Sequence, residues 1–258
     1  LVISASRDHT IGILDLKNEP RCVVSKGHNE WVYSIDVSSD GKYLISSSLD
    51  KTIKLWSLET GDLLSVLNKP VERVTKVVFS PNSKLIVSGL ENGEIIVWDA
   101  RTYLPKFRLR GHKDQISDLK ITSDNRILIS GSIDHTIRIW DINSGKEVFV
   151  LSEHTGWISE IALLPDGKTF ISASIDASII LWSIKRGEKL FSFDGHTRGV
   201  NSIAVSSDGT TLVSASYDFS VRVWDLITHK ALAVFTLNGI VWSCDITDNN
   251  VVVAGDAL

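Results

Sequence analysis

The chain has 258 residues, 43% hydrophobic and 22% charged, enough for one large core and ordinary for a soluble globular protein. A net charge of -4 with no basic run leaves no electrostatic footprint for nucleic acid, and no apolar run approaches the ~20 residues that a membrane helix needs. The two cysteines, Cys22 and Cys244, fall on dissimilar strands at opposite ends, so no disulfide framework is expected and a reducing, cytoplasmic setting is the simpler reading. The chain opens on Leu1-Val2-Ile3 and closes on Ala254-Gly255-Asp256-Ala257-Leu258, both in mid-pattern, with no initiator Met or signal peptide, which suggests a segment of a longer polypeptide.

Residues 1–25 read as three strands. The first full unit, residues 27–66, shows why each strand forms. Val32 to Val37 alternates with period two, and Asp40-Gly41 supplies a hairpin turn of the type I′ kind. Tyr43 to Ser48 is a second strand, closed by a turn at Leu49-Asp50-Lys51. Thr52 to Ser57 is a third, and Leu63 to Leu67, after Glu59-Thr60-Gly61-Asp62, is a fourth. The same pattern returns at 69–108, 111–150, 153–192 and 195–234. Its first turn reads Asn82-Ser83, Asp124-Asn125, Asp166-Gly167 and Asp208-Gly209. Residues 238–258 hold two more strands, Val241 to Cys244 and Val251 to Val253. No helical periodicity, linker or low-complexity segment interrupts the series, so one all-β domain is expected over 1–258.

The repeat has a fixed period of 42. Trp56, Trp98, Trp140, Trp182 and Trp224 share one register, with Leu14 one period earlier. Asp8, Asp50, Asn92, Asp134, Asp176 and Asp218 share a second, and Ser4, Ser46, Ser88, Ser130, Ser172 and Ser214 a third. The fourth reads His28, Pro70, His112, His154, His196 and Asn238. A unit of this length cannot bury its apolar face alone, so copies must stack or close into a ring.

These registers, with Trp98-Asp99, Trp140-Asp141 and Trp224-Asp225 and the pairs Gly27-His28, Gly111-His112 and Gly195-His196, resemble the WD-repeat β-propeller family along the whole chain. The resemblance implies four-stranded blades. Seven blades are favoured, the first and last incomplete, because a six-bladed ring would leave Leu1 to Ser6 and Val251 to Gly255 competing for one slot. A weaker resemblance, carried by the near-uniform spacing and the Ala254-Gly255-Asp256-Ala257 ending, is to C-terminal sensor propellers of bacterial, cyanobacterial-like signalling ATPases of the apoptotic type.

A Ser, a His and an Asp are the inventory of a hydrolase triad. Here the set recurs four times: His28, Ser46, Asp50, Trp56; His112, Ser130, Asp134, Trp140; His154, Ser172, Asp176, Trp182; and His196, Ser214, Asp218, Trp224. An active site rarely recurs in one domain, whereas the family resemblance implies a buried structural chain from Asp through His and Ser to the indole. No catalytic residue is expected. Each histidine of this register sits in its own blade rather than in a cluster, which argues against a metal site, and no cofactor is expected. Pro70 breaks the set, which marks that blade as the loosest.

The resemblance further implies a rigid face carrying the loops beside each Asp. Its variable positions are the residue before the Asp and the third and fifth residues after the His. They include Trp31, Tyr33, Leu49, Arg73, Trp157, Tyr217 and Trp242, with Trp242 in the place of Tyr33 through a one-residue deletion. Such aromatics mark binding surfaces. Trp31 and Trp157 could equally seal the seam to a neighbouring blade, while Tyr33, Tyr217 and Trp242 lean toward binding.

The leading expectation is a non-catalytic scaffold for signalling that presents this face to a protein or peptide, or to another domain of the same polypeptide. One alternative is an autoinhibitory, ligand-sensing propeller of a larger ATPase. Another is a hydrolase or lyase in the central channel, where Ser34, Asp36, Lys76, Asp118, Lys120 and Glu160 are polar but form no recurring acid–base set.

Overall fold

The computed structural model describes residues 2–15, 21–67, 72–249 and 251–257. All regular structure in it is β-strand. The chain packs as two compact units, one of Leu1–Leu128 with Asp141–Lys146, the other of Ile129–Trp140 with Glu147–Leu258.

In the first unit, β1 (Val2–Ala5), β2 (Thr10–Asp15) and β3 (Arg21–Lys26) form a three-stranded sheet. Next come β4 (Val32–Val37), β5 (Tyr43–Ser48), β6 (Ile53–Ser57) and β7 (Leu63–Leu67), then β8 (Val74–Phe79), β9 (Leu85–Leu90), β10 (Ile95–Asp99) and β11 (Pro105–Leu109). Each set of four is one antiparallel meander. A further four-stranded sheet is formed by β12 (Ile116–Ile121), β13 (Ile127–Ser132), β14 (Ile137–Asp141) and β15 (Lys146–Leu151).

The second unit holds two further four-stranded meanders. One is β16 (Ile158–Leu163), β17 (Thr169–Ser174), β18 (Ile179–Ser183) and β19 (Glu188–Phe193). The other is β20 (Val200–Val205), β21 (Thr211–Ser216), β22 (Ser220–Asp225) and β23 (Lys230–Thr236). A pair, β24 (Ile240–Ile246) and β25 (Val252–Ala257), ends the series of seven sheets.

The hairpin turns depart from the type I′ expectation. Gly41, Ser83, Asn125, Gly167 and Gly209 have φ between 53° and 72°, but the residue before each does not adopt positive φ. This is a single left-handed residue after a type I-like bend, held by the preceding side chain. Asp40 Oδ1 accepts from Ser38 Oγ at 2.6 Å and from the Lys42 amide at 3.1 Å.

Each first strand whose register is described carries a β-bulge near its start, at the second residue or, in β24, the third. Pairing skips Tyr33, Thr75, Ser159, Asn201 and Trp242. The core lies between sheets. In the first unit Leu67, Val74 and Trp98 share one buried cluster, and in the second Phe193, Val200 and Trp224 share another. The phenyl of Phe193 meets the Trp224 indole edge-on at 5.7 Å.

Candidate interaction face

In four of the sheets two loops meet at one end, joined by a recurring backbone bond. The amide of Leu49 donates to the carbonyl of Trp31 at 3.1 Å, Glu91 to Arg73 at 3.0 Å, Ile175 to Trp157 at 2.9 Å and Tyr217 to Gly199 at 2.9 Å. The residue before the Asp position and the third after the His position therefore sit side by side in these four sheets.

In the first unit, Trp31 is 38% exposed and the Arg7 guanidinium lies 4.6 Å over its ring. Tyr33 is exposed, Leu49 half-buried, and Arg73 pairs with Glu91 at 3.3 Å in the open. In the second unit, Trp157 and Trp242 are each 52% exposed, and half-buried Tyr217 meets Trp242 edge-on. Phe219 is also exposed, with Arg198 5.8 Å from its ring. Sequence reasoning missed Phe219, although it follows Asp218 at the positive-φ turn position that ends the same loop.

The fifth position after the His is a different matter. Thr75 Oγ1 donates to the Ile116 carbonyl at 2.6 Å, Ser159 Oγ to Val200 at 2.6 Å and Asn201 Nδ2 to Val241 at 2.8 Å. These bulged residues tie one first strand to the next, so this register is mainly a seam. Tyr33 and Trp242 occupy the same bulge with rings that stay exposed.

The recurring His, Ser, Asp and Trp side chains form the expected chain. In the first unit His28 Nδ1 bonds Asp50 Oδ2 at 2.8 Å, His28 Nε2 bonds Ser46 Oγ at 2.7 Å, and Trp56 Nε1 donates to that oxygen at 2.8 Å. In the second unit His154, Asp176, Ser172 and Trp182 repeat this within 0.2 Å, as do His196, Asp218, Ser214 and Trp224. His112 is buried, and Trp140 Nε1 donates to Ser130 Oγ at 2.9 Å. The shared serines are fully buried, so Oγ has no room to reach a substrate.

Burial alone would raise Asp50 and Asp218. Hydrogen bonds from Thr52, Asn29 and His28, and from Ser220, His196 and Thr197, outweigh it and hold both carboxyls at about 2. Burial lowers His28 and His196 despite their carboxylate partners, which favours the neutral imidazole.

Pro70 lies outside the described residues. Its sheet keeps Trp98 Nε1 on Ser88 Oγ at 3.0 Å, and nearly buried Glu94 stands where Thr52 stands one sheet earlier. Glu94 accepts from Arg108 at 2.7 Å and from Arg110 at 2.9 Å, an ion pair network with no counterpart in the neighbouring register.

The polar residues of the first strands are largely engaged. Asp36 Oδ2 accepts from the Phe79 amide at 2.6 Å, Glu160 Oε2 from the Ile203 amide at 2.8 Å, and Ser34 Oγ from the Val77 amide at 3.3 Å. Lys76 pairs with Asp118 at 2.8 Å, and Lys120 lies 3.8 Å from the same carboxylate. Among the described residues no group of three or more His, Cys, Asp or Glu is placed to hold a metal ion.

Seven antiparallel sheets, of which the five four-stranded ones each carry a buried indole on the third strand, define a WD-repeat β-propeller. The chain belongs to the WD domain, G-beta repeat family, which it matches over residues 20–57, 61–99, 104–141, 145–183 and 187–225. Among solved structures it is similar to the crystal structure of the WD40 beta propeller domain of Doa1, with 25% identity and a TM-score of 0.82 over 98% of this chain and 85% of that one. No curated protein matches it. The finer resemblance to signalling-ATPase propellers draws no support from these matches.

Proposed function

We propose that the protein is a non-catalytic scaffold that binds a protein or peptide through the aromatic loop ends of its sheets. WD-repeat propellers are generally interaction scaffolds. One observation carries the finer reading: Trp31, Tyr33, Trp157 and Trp242 are 38–52% exposed at loop ends, whereas the third-strand tryptophans are at most 2% exposed. Half-exposed Trp and Tyr on rigid backbone dominate binding energy at interfaces, and ordering them in advance lowers the entropy cost of association. Arg73 and Leu49 belong to the same face and supply its polar and aliphatic margin. The second-strand Ser, the His and the Asp act as scaffold, since they saturate one another.

The reading includes a reducing, cytoplasmic setting, in which free, buried Cys244 is an ordinary residue. It excludes nucleic acid on charge. No helix is long and apolar enough to cross a membrane among the described residues.

The test is capture of a partner from source lysate by the wild-type chain and by a variant carrying Tyr33→Ala, Tyr217→Ala and Trp242→Ala, after both show the same melting temperature. A partner held by the first and lost by the second is expected. Equal retention would move the interface elsewhere.

A further inference from the structure

We infer that the outer edge of β11 docks an extended acidic peptide of a partner protein, one that carries carboxylates at every second residue. β11 is an edge strand among the described residues, bonded on one side to β10. Alternate amides and carbonyls of such a strand point away from its sheet and can receive another strand. Its sequence, Pro105-Lys106-Phe107-Arg108-Leu109, with Arg110 next, alternates cations with apolar residues. Period two puts Lys106, Arg108 and Arg110 on one face, all exposed, while half-buried Phe107 and buried Leu109 belong to the other.

The cations are held in place. Glu94, just before β10 and nearly buried, accepts from Arg108 Nη1 at 2.7 Å and from Arg110 Nε at 2.9 Å. Pairing with one carboxylate fixes both guanidinium groups on the same face before any partner arrives. Arg110 bonds Glu94 through Nε, and with its side chain 79% exposed the terminal nitrogens remain open to a second carboxylate. Asp99, the acid near Lys106, accepts instead from the Arg101 and Thr102 amides, at 3.1 and 2.9 Å. Three cations around one paired carboxylate leave the strip positive on a chain of net charge -4.

No other four-stranded sheet shares this strip. The register of Lys106 reads Leu64, Val148, Leu190 and Leu232, all exposed, and no cation stands at the registers of Arg108 and Arg110 either. Charge on an edge commonly wards off undirected strand pairing. That purpose alone would call for cations on all five outer strands, not on one. A fixed row of positive charge beside an open edge is selective instead. It repels basic strands, and an added strand places alternate side chains opposite Lys106, Arg108 and Arg110, where carboxylates are favoured.

The probe is a fluorescein-labelled peptide of about seven residues alternating glutamate with threonine, long enough to pair along β11, titrated with the whole chain and followed by anisotropy. Saturable binding is expected, weakened about tenfold when glutamine replaces glutamate in the peptide and about tenfold by Lys106→Gln with Arg110→Gln in the protein. Lys106→Gln alone leaves the Glu94 pairs intact, and a smaller loss at an unchanged melting temperature is expected of it, which separates lost binding from lost fold. An added strand turns only alternate amides toward β11, so N-methylation of one alternate set of peptide amides should abolish binding, and of the other set should leave it. Absence of saturable binding, equal affinity for the glutamine peptide, equal loss from both methylated sets, or tighter binding of inorganic polyphosphate would overturn the assignment. The aromatic loop ends contain none of the substituted residues, so this experiment and the capture experiment fail independently.

Discussion

Tyr217 and Trp242 meet edge to face, ring centroids 5.4 Å apart and planes at 77°, although they come from different sheets. Tyr217 directly follows a second strand, and Trp242 is the bulged residue of the next first strand, so the bulge turns a seam position outward. Trp242→Ala should cost about 1 kcal/mol or less, the scale of an exposed aromatic pair. Trp182→Ala should cost about 3–5 kcal/mol, since that ring is buried and hydrogen-bonded. Urea denaturation of both variants gives the comparison. Equal losses would make Trp242 a structural residue and remove the main anchor of the interaction face.

Ser172 serves two partners, His154 Nε2 at 2.7 Å and Trp182 Nε1 at 2.8 Å. Ser172→Ala strands both in a buried site, and each orphaned group costs about 1–3 kcal/mol. Ser88 accepts from Trp98 in a sheet whose register has no histidine. Ser88→Ala should therefore destabilise by roughly half as much, measured by the shift of the denaturation midpoint.

Gly89 faces Ile116 so closely that a β-carbon would lie 2.4 Å from Ile116 Cγ2, and Gly131 stands likewise 2.6 Å from Ile158. At the same register Ala173 shares a cluster with Val200 and Ala215 with Val241. Glycine pairs with isoleucine and alanine with valine, which keeps the summed volume constant. Gly89→Ala alone should cost about 1–3 kcal/mol through overpacking, and adding Ile116→Val should restore most of it. A double-mutant cycle without coupling would refute this complementarity.

Acid should weaken the fold in two stages. His28 and His196 lie below the usual 6.5 because burial disfavours the cation. Below that pH the unfolded imidazoles bind protons that the folded ones refuse, so stability falls as pH falls. Asp50 and Asp218, held at about 2, contribute stability that is complete above 3.8 and is lost as pH drops through about 2. A melting-temperature scan should show a first decline beginning near 6.5 and a second below 3.8. His28→Gln should shrink the first. A decline confined to the second stage would show that the folded imidazoles are charged.

Cys244 is buried against Ser202, and burial pushes its thiol up to about 12. In a Cys22→Ser background it should resist an aromatic disulfide reagent at pH 8 and react on unfolding in urea. Rapid reaction in the native state would show that the β24–β25 pair opens.

Much of this was legible because the repeat is a ruler. The strand series, the positive-φ turn residues and the His–Ser–Asp–Trp chain follow from recurrence at one spacing, and even the one-residue deletion that puts Trp242 at the Tyr33 position shows in the pairing of β24 with β25. Register does not reveal which way a side chain reaches. Thr75, Ser159 and Asn201 share a register with Tyr33, yet they close seams between sheets because their short polar groups reach a neighbouring carbonyl. The stacking of Arg7 on Trp31 joins residues from different registers.

The sequence by itself determined the all-β repeat, its four-stranded unit and the polar set that each unit buries, because period and turn chemistry are local and recur. Only the tertiary structure decided which loop residues remain exposed, how Glu94 gathers Arg108 and Arg110, and that Asp8 and His28 line one open cleft. Exposure depends on what packs opposite a residue, and that partner comes from another turn of the repeat.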